Sequence, residues 1–199
     1  MPFWSTNFGT DATLNDPKRK FRFMVSFGNL DADPGIDLWY ASTVSKPGFT
    51  INAAEHKYLN HTFYYPGNVS WAAVSMTVVD PVSPDVTATL SDILETGGYA
   101  VPANVSELGT ISKAKATNAL GTVKIVQLDA YGKELETWTL WNAFITDVKF
   151  GDMSYGDDTL QEVTLELRYD WAQVLVTNKS AMIGGKDANN DYFKTTTTD

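Results

Sequence analysis

Alternation of apolar and polar side chains recurs along this chain and restricts the folds that it can adopt. The segment 161–176 shows it most clearly, because the apolar Val163, Leu165, Leu167, Tyr169 and Trp171 alternate with Glu162, Thr164, Glu166, Arg168 and Asp170. A period of two places successive side chains on opposite faces of a β-strand. We therefore predict one half-buried strand from Gln161 to Val176.

The same pattern predicts five further strands. Their ranges are 21–27, 38–44, 69–79, 122–130 and 136–150, and a turn at Tyr131-Gly132-Lys133 separates the last two. In 69–79, one face carries Ala72, Val74, Met76 and Val78, and the other carries Ala73, Ser75 and Thr77. This asymmetry predicts a sheet with an apolar core behind it and solvent in front.

An aromatic segment lies between two of these strands, within Val44 to Val79. Turn signals bound it at Lys46-Pro47-Gly48 and Tyr65-Pro66-Gly67-Asn68, because Pro presets φ and Gly accepts positive φ. We predict a projecting hairpin or loop. Its aromatic side chains need a partner surface, which is either the domain's own core or another subunit.

One helix is predicted, over about 84–96. Ser83 is the predicted N-cap, Pro84 the first helical residue, and Gly97-Gly98 the end. Apolar residues recur within it at helical spacing, at Val86, Leu90, Ile93 and Leu94. We predict an irregular connection over 99–121 and a flexible C-terminal tail over 177–199.

Composition argues against several functions. The formal net charge of −9 and the single short basic run, Lys18-Arg19-Lys20, disfavour tight binding of nucleic acid through its phosphates. The absence of cysteine excludes disulfides, thiolate metal sites and a cysteine nucleophile. We find neither a secretory signal nor an apolar run long enough for a membrane helix, so we expect a soluble product made in a cytoplasm.

No catalytic or metal-binding motif emerges, and we predict neither a cofactor nor a metal. His56 and His61 are five residues apart, which in a continuous strand places them on opposite faces and disfavours a shared metal. The acidic loop with Asp31, Asp33 and Asp37 lacks the spacing of a calcium loop. These absences favour a structural role over an enzyme.

The order of parts resembles the tail tube proteins of contractile-tailed bacteriophages, a family related to the tube proteins of type VI secretion. The resemblance spans about residues 15–176 and rests on an ordered set of segments: KFRFMVSF, KPGF, EHKYLNHTFYYPGN, WAAVSMTVVDP, the capped helix and EVTLELRYDW. The loop 99–121 and the tail after about 177 do not match the family pattern.

The resemblance implies a mainly β fold, a small antiparallel β-barrel or sandwich with one short flanking α-helix and a long extended arm. The domain would span 1–176 and the arm 52–66. It also implies a non-enzymatic virion protein that forms stacked hexameric rings, the inner tube of a contractile tail through which DNA is ejected without specific binding. Assembly in the host cytoplasm, and sheath, baseplate, tail terminator and tape-measure partners, are implied with it.

In this family an extended arm contacts the adjacent ring. The resemblance therefore suggests inter-ring or inter-subunit contacts at Phe3, Trp4, Phe8, Glu55, His56, Lys57, Tyr58, Leu59, His61, Phe63, Tyr64 and Tyr65. For the lumen we expect a small polar or acidic strand face, formed either by Ser75 and Thr77 or by Glu162 and Glu166.

Two alternatives stay open at this point. The chain could be the tube protein of a type VI secretion system or of a bacteriocin particle, with the same fold and another cargo. It could instead be a carbohydrate-binding or hydrolytic β-sandwich that uses exposed Trp39, Trp138 or Trp141 as stacking platforms.

Overall fold

The computed structural model describes residues 18–28, 41–83, 85–100 and 109–176, together with the backbone of Lys179–Ile183. The strands in these ranges are β1 (Phe23–Phe27), β2 (Ala41–Val44), β3 (Phe49–Tyr58), β4 (His61–Trp71), β5 (Val74–Val79), β6 (Val123–Leu128), β7 (Glu134–Trp141), β8 (Phe144–Lys149), β9 (Glu162–Arg168), β10 (Trp171–Val176) and β11 (Lys179–Ile183). The helices are α1 (Val86–Thr96) and α2 (Lys113–Leu120).

Two antiparallel sheets enclose one apolar core. The first has the order β1-β6-β7-β10-β11 and the second β2-β5-β9-β8, while β3 and β4 form a separate two-stranded sheet. Val25 and Leu140 from the first sheet and Met76 and Leu165 from the second are buried in the same cluster. Neither sheet closes into a barrel through the described strands, so the predicted mainly β fold is confirmed in its sandwich form.

Two of the long strands predicted from the sequence are each two separate strands in the structure. The range 136–150 divides into β7 and β8, and the range 161–176 into β9 and β10, with one half in each sheet. The two breaks meet, because the Asp170 N–H donates to the Trp141 carbonyl (3.1 Å) and the Asn142 side-chain amide donates to the Asp170 carboxylate (2.8 Å). Both sheets turn apolar faces to one core, but the phase of burial shifts at the break. Tyr169 is buried before it, and after it Ala172 and Val174 are buried while Trp171 is only half-buried, so the single alternation predicted over 161–176 is wrong beyond Asp170.

The predicted strand 69–79 also divides. β4 ends at Trp71 and β5 begins at Val74, and between them the Ala72 N–H donates to the Gly48 carbonyl (2.8 Å). The two halves belong to different sheets. The polar and apolar faces predicted for β5 are nevertheless observed, with Val74 and Met76 buried and Ser75 exposed.

Helix α1 is capped by aspartates rather than by Ser83. The Asp85 side chain accepts from the Ala88 N–H (3.0 Å), and the Asp80 carboxylate accepts from the Val86 N–H (3.1 Å) and the Thr87 hydroxyl (2.8 Å). The predicted N-cap was therefore two residues early, because a serine and an aspartate are equally suited to this position. Pro84 lies outside the described residues.

Helix α2 was missed, and the prediction of an irregular connection over 99–121 is wrong where α2 lies. Its sequence KAKATNAL holds a single large apolar residue, Leu120, so the apolar stripe that identifies a helix is absent. The sequence signal for this helix was its N-cap, Ser112. The Ser112 hydroxyl accepts a hydrogen bond from the Lys115 N–H in the first turn (3.3 Å). The described part of the chain therefore has two helices, whereas one was predicted.

The C-terminal prediction needs one correction. Lys179–Ile183 form β11 and pair with β10, so the sheet extends beyond the boundary predicted at 176. Residues 184–199, the predicted contact residues Phe3, Trp4 and Phe8, and the acidic loop 31–37 lie outside the described residues. In the described parts of the chain, no helix is long and apolar enough to cross a membrane.

Candidate functional site

The predicted arm is a hairpin that projects from the sandwich. β3 and β4 pair antiparallel and reverse at Leu59-Asn60, where Leu59 has a φ of 51°. Every residue of the two strands is exposed except Trp71, which is half-buried. This exposure excludes folding of the arm back onto its own core, one of the two alternatives that the sequence left open.

The second predicted turn, Tyr65-Pro66-Gly67-Asn68, is wrong. These residues lie inside β4, opposite a shift of register between Ile51 and Ala53. A Cβ atom at Gly67 would lie 2.9 Å from the Asn52 carbonyl oxygen, so the glycine permits close approach of the two strands at a bulge. The Pro-Gly pair marks an irregularity within the strand rather than its end.

The cross-strand register divides residues 53–66, which we call the outer hairpin, into two chemically different faces. Cross-strand pairs join His56 to Phe63, Tyr58 to His61 and Ala54 to Tyr65. These six residues form one face, which we call the aromatic face. The other face contains the remaining pairs of this region: Glu55 with Tyr64, Lys57 with Thr62, and Ala53 with Pro66. The Glu and Lys side chains of the outer hairpin are thus confined to the second face.

The reversal of the chain at Leu59-Asn60 places both histidines on the same face of the hairpin. His61 is paired with Tyr58, and Tyr58 is two residues from His56 along β3, so both histidines lie on the aromatic face. The prediction of opposite faces was wrong because Leu59-Asn60 reverse the chain between them. No group of three or more metal-ligating side chains occurs among the residues that the structure describes.

Aromatic contacts anchor the hairpin to the sandwich. The Phe49 and Trp71 rings make an edge contact with centroids 5.4 Å apart, and Trp71 lies 6.0 Å from the ring of Tyr169. Tyr169 is buried in the core, and this burial raises the pKa of its hydroxyl. The base of the hairpin is therefore held by packing against the sandwich.

A buried carboxylate ties the connection between β2 and β3 to the five-stranded sheet. Glu136 accepts hydrogen bonds from the ammonium groups of Lys18 and Lys46 and from the indole N–H of Trp138. Lys46 also donates to the Gln127 side chain (2.6 Å). Burial opposes ionisation of Glu136, but these donors outweigh it and lower its pKa from 4.5 to about 2.

The two predicted lumen faces are one surface. Ser75 lies opposite Glu166, Thr77 opposite Thr164, and Val79 opposite Glu162, so both sets occupy the outer face of the four-stranded sheet. The Ser42 hydroxyl extends this polar face to β2 by donating to the Glu162 carboxylate (3.1 Å). The sequence could not join these residues because strand order within a sheet has no local signal.

This polar face is only weakly acidic. Its charged residues at register positions are Glu162, Glu166, Arg168, Asp147 and Lys149. Three acidic and two basic side chains give −3 + 2 = −1, and Lys149 lies 3.6 Å from the Asp147 carboxylate. The large negative charge of the chain is therefore not concentrated on this face.

Among the residues that the structure describes, the tryptophans do not form the exposed platforms expected of a carbohydrate-binding sandwich. Trp138 packs against the core and donates to Glu136. Trp141 stacks on Trp171, with centroids 6.4 Å apart and planes 20° apart, and donates to Gln173 (2.9 Å). Trp39 lies outside the described residues. The described tryptophans thus act in packing.

Comparison with known proteins gives a match at the level of structure. The sequence matches no protein-family model and has no significant match among curated proteins. A chain of the anti-feeding prophage tube-terminating cap has a TM-score of 0.60 and 13% identity, covering 89% of this chain and 100% of that chain. A chain of an extracellular contractile injection system, in its sheath–tube complex in the extended state, has a TM-score of 0.60 and 17% identity, covering 82% of this chain and 95% of that chain.

A third structure agrees with these two. A chain of the anti-feeding prophage baseplate has a TM-score of 0.57 and 19% identity, covering 83% of this chain and 100% of that chain. At such low identity the likeness establishes a shared fold. The chain therefore shares its fold with a chain from each of these three assemblies.

Proposed function

We propose that this protein is a structural tail tube subunit that assembles into hexameric rings and stacks them into the inner tube of a contractile tail. The observation that carries the proposal is the projecting, solvent-exposed hairpin, whose aromatic face has no partner among the described residues of its own domain. A two-stranded hairpin is marginally stable in water unless its apolar side chains are covered. A second copy of the chain is the partner that would cover it.

In this proposal the hairpin contacts the adjacent ring, and the aromatic face makes the contact. The polar face of the four-stranded sheet lines the lumen. Six copies carry 6 × −9 = −54 formal charges per ring before counterions. The small polar side chains and slight negative charge of the face itself disfavour retention of a polyanion, so DNA would pass without specific binding. The protein has no enzymatic role here.

The partners follow from the same assembly. A sheath protein would surround the tube, baseplate and tail terminator proteins would cover its two ends, and a tape-measure protein would occupy the lumen. The assembly would form in the host cytoplasm and reside in the virion. A second candidate is an injection tube with a non-nucleic-acid cargo, which is favoured by the likeness to a chain of an extracellular contractile injection system.

Electron microscopy of the purified protein over a concentration series tests the proposal. We expect rings or hollow tubes from the intact chain. Deletion of residues 55–65, with a short Gly-Ser turn in their place, should leave a folded subunit that retains a β-type circular dichroism spectrum and cooperative unfolding but forms no tubes. Tubes of normal length from the deletion variant would remove the hairpin from the proposed contact. Imaging of native particles for lumenal DNA separates the two cargo candidates.

A further inference from the structure

A groove opens beside β2, at one edge of the four-stranded sheet. Its volume is about 700 Å³. The apolar part of its lining comes from both sheets and includes Phe23, Val44, Ile125 and Trp138. A groove of this composition would be filled by apolar side chains if a partner covered it.

The rim of the groove is positively charged. Lys18, Lys20 and Lys46 line it, and Lys18 and Lys46 also donate to the buried carboxylate of Glu136. Three ammonium groups and one carboxylate give +3 − 1 = +2. Lys18 and Lys20 belong to the basic run of the sequence, and the proposed tube assigns this run no role. The run thus borders an apolar groove. Such a surface is complementary to a segment that combines apolar and acidic side chains.

The loop between β8 and β9 has this composition. In 150–161, Met153 is 90% and Leu160 73% exposed, and Tyr155 is fully exposed. The same loop carries Asp152, Asp157 and Asp158 and no basic residue, which gives a charge of −3. The Asp80 N–H donates to the Gln161 carbonyl at the end of the loop (2.9 Å), and the other described hydrogen bonds of the loop are local, such as that from the Thr159 N–H to the Asp157 side chain (3.1 Å). Exposed apolar side chains of this size mark a contact surface.

The groove and the loop lie at the same level on opposite edges of one sheet. β2 and β8 are the two edge strands of the four-stranded sheet. One register row runs across it through Thr43, Thr77, Thr164 and Lys149. Thr43 lines the groove, and Lys149 is the last residue of β8, immediately before the loop. When copies are arranged head to tail, the loop of one copy faces the groove of the next.

We propose that the 150–161 loop of each subunit docks in the groove beside β2 of its neighbour in the same ring. This inference rests on the proposed ring. The aromatic and aliphatic side chains of the loop enter the groove, and its aspartates approach the lysine rim. The contact is heterologous, so it joins copies in a closed ring and differs from the contact between rings that is proposed for the hairpin.

Disulfide trapping tests the contact directly, because the chain contains no cysteine. Lys20→Cys and Tyr155→Cys are prepared as separate variants, and one of them carries a size tag. After mixing and mild oxidation we expect a disulfide-linked heterodimer, resolved by non-reducing electrophoresis. The matched control pairs Lys20→Cys with Glu95→Cys on the exposed surface of α1. The heterodimer yield of the test pair should exceed that of this control at least fivefold.

Electron microscopy of the same samples separates the hypothesis of loop docking from the hypothesis of ring formation. Rings with a heterodimer yield no higher than the control would overturn the docking and leave the ring intact. A specific heterodimer without rings from the intact chain would support a contact between the loop and the groove of two copies and overturn its place in a ring. Absence of both would overturn both. Charge reversal gives a second measurement, since Asp157→Lys should abolish ring formation and Asp92→Lys on α1 should not.

Discussion

At the scale of single residues, Glu136 is the clearest case of a buried group whose partners decide its chemistry. It is 8% exposed and accepts hydrogen bonds from two lysines that are themselves about half exposed. A carboxylate in such a site is stabilising only while its donors remain in place. Lys18 and Lys46 come from different segments, so Glu136 holds both of them against the five-stranded sheet.

We expect Glu136→Gln to lower the free energy of unfolding by about 1–3 kcal/mol at pH 7. Because the pKa is lowered from 4.5 to about 2 on folding, the stabilisation is complete above about pH 4.5 and is lost as the pH falls towards 2. Denaturant unfolding from pH 7 to pH 2.5 measures it. The difference between the wild type and Glu136→Gln should shrink over this acid range. The control, Glu95→Gln on exposed α1, should follow the wild type, and a constant difference at all pH values would contradict this role.

At the scale of elements, the hairpin is the segment whose two faces should behave differently. The side chains of Phe63 and Tyr65 lie on the aromatic face, and that of Tyr64 lies on the face with Glu55 and Lys57. All three are about half exposed or more, so none contributes a large part of the core. Their substitution should therefore affect association more than folding.

We expect Phe63→Thr with Tyr65→Thr to abolish tube formation while shifting the melting temperature by less than about 3 °C. Threonine retains a high β propensity, so the strand itself is preserved. Sedimentation of tubes and differential scanning calorimetry are the measurements. Tyr64→Thr on the opposite face is the matched control and should sediment like the wild type. Loss of tubes in the control alone would assign the contact to the charged face.

At the scale of the whole molecule, the polar face of the four-stranded sheet can be tested through its charge. Glu162→Lys with Glu166→Lys replaces two negative charges with two positive ones, which raises the net charge of this face by 4 per subunit, or 6 × 4 = 24 per hexameric ring. We expect tubes of this variant to retain DNA in a salt-dependent manner, whereas wild-type tubes release it. Co-sedimentation of fluorescent DNA between 50 and 300 mM salt measures this. Asp92→Lys with Glu95→Lys on α1 adds the same charge elsewhere, and equal retention by that variant would argue against a lumenal position.

The sequence predicted the structure best where a local pattern has a single physical cause. Alternation located strand residues of both large sheets and correctly assigned Val163, Leu165 and Leu167 to the core, because burial of one sheet face demands it. Helix α1 was found from its apolar spacing and its glycine end, and the turn at Tyr131-Gly132-Lys133 is confirmed by a φ of 76° at Gly132. The exposed aromatic residues correctly indicated a projecting arm.

The tertiary structure alone decided which strands are neighbours, because pairing depends on residues far apart in the chain. It divided two alternating segments at Asn142 and Asp170, joined Ser75 to Glu166, and brought Lys18 and Lys46 to Glu136. It also placed both histidines on one face of the hairpin. Alternation reports that a side chain is buried and carries no information about its partner, so the composition of every surface considered for assembly depended on the fold.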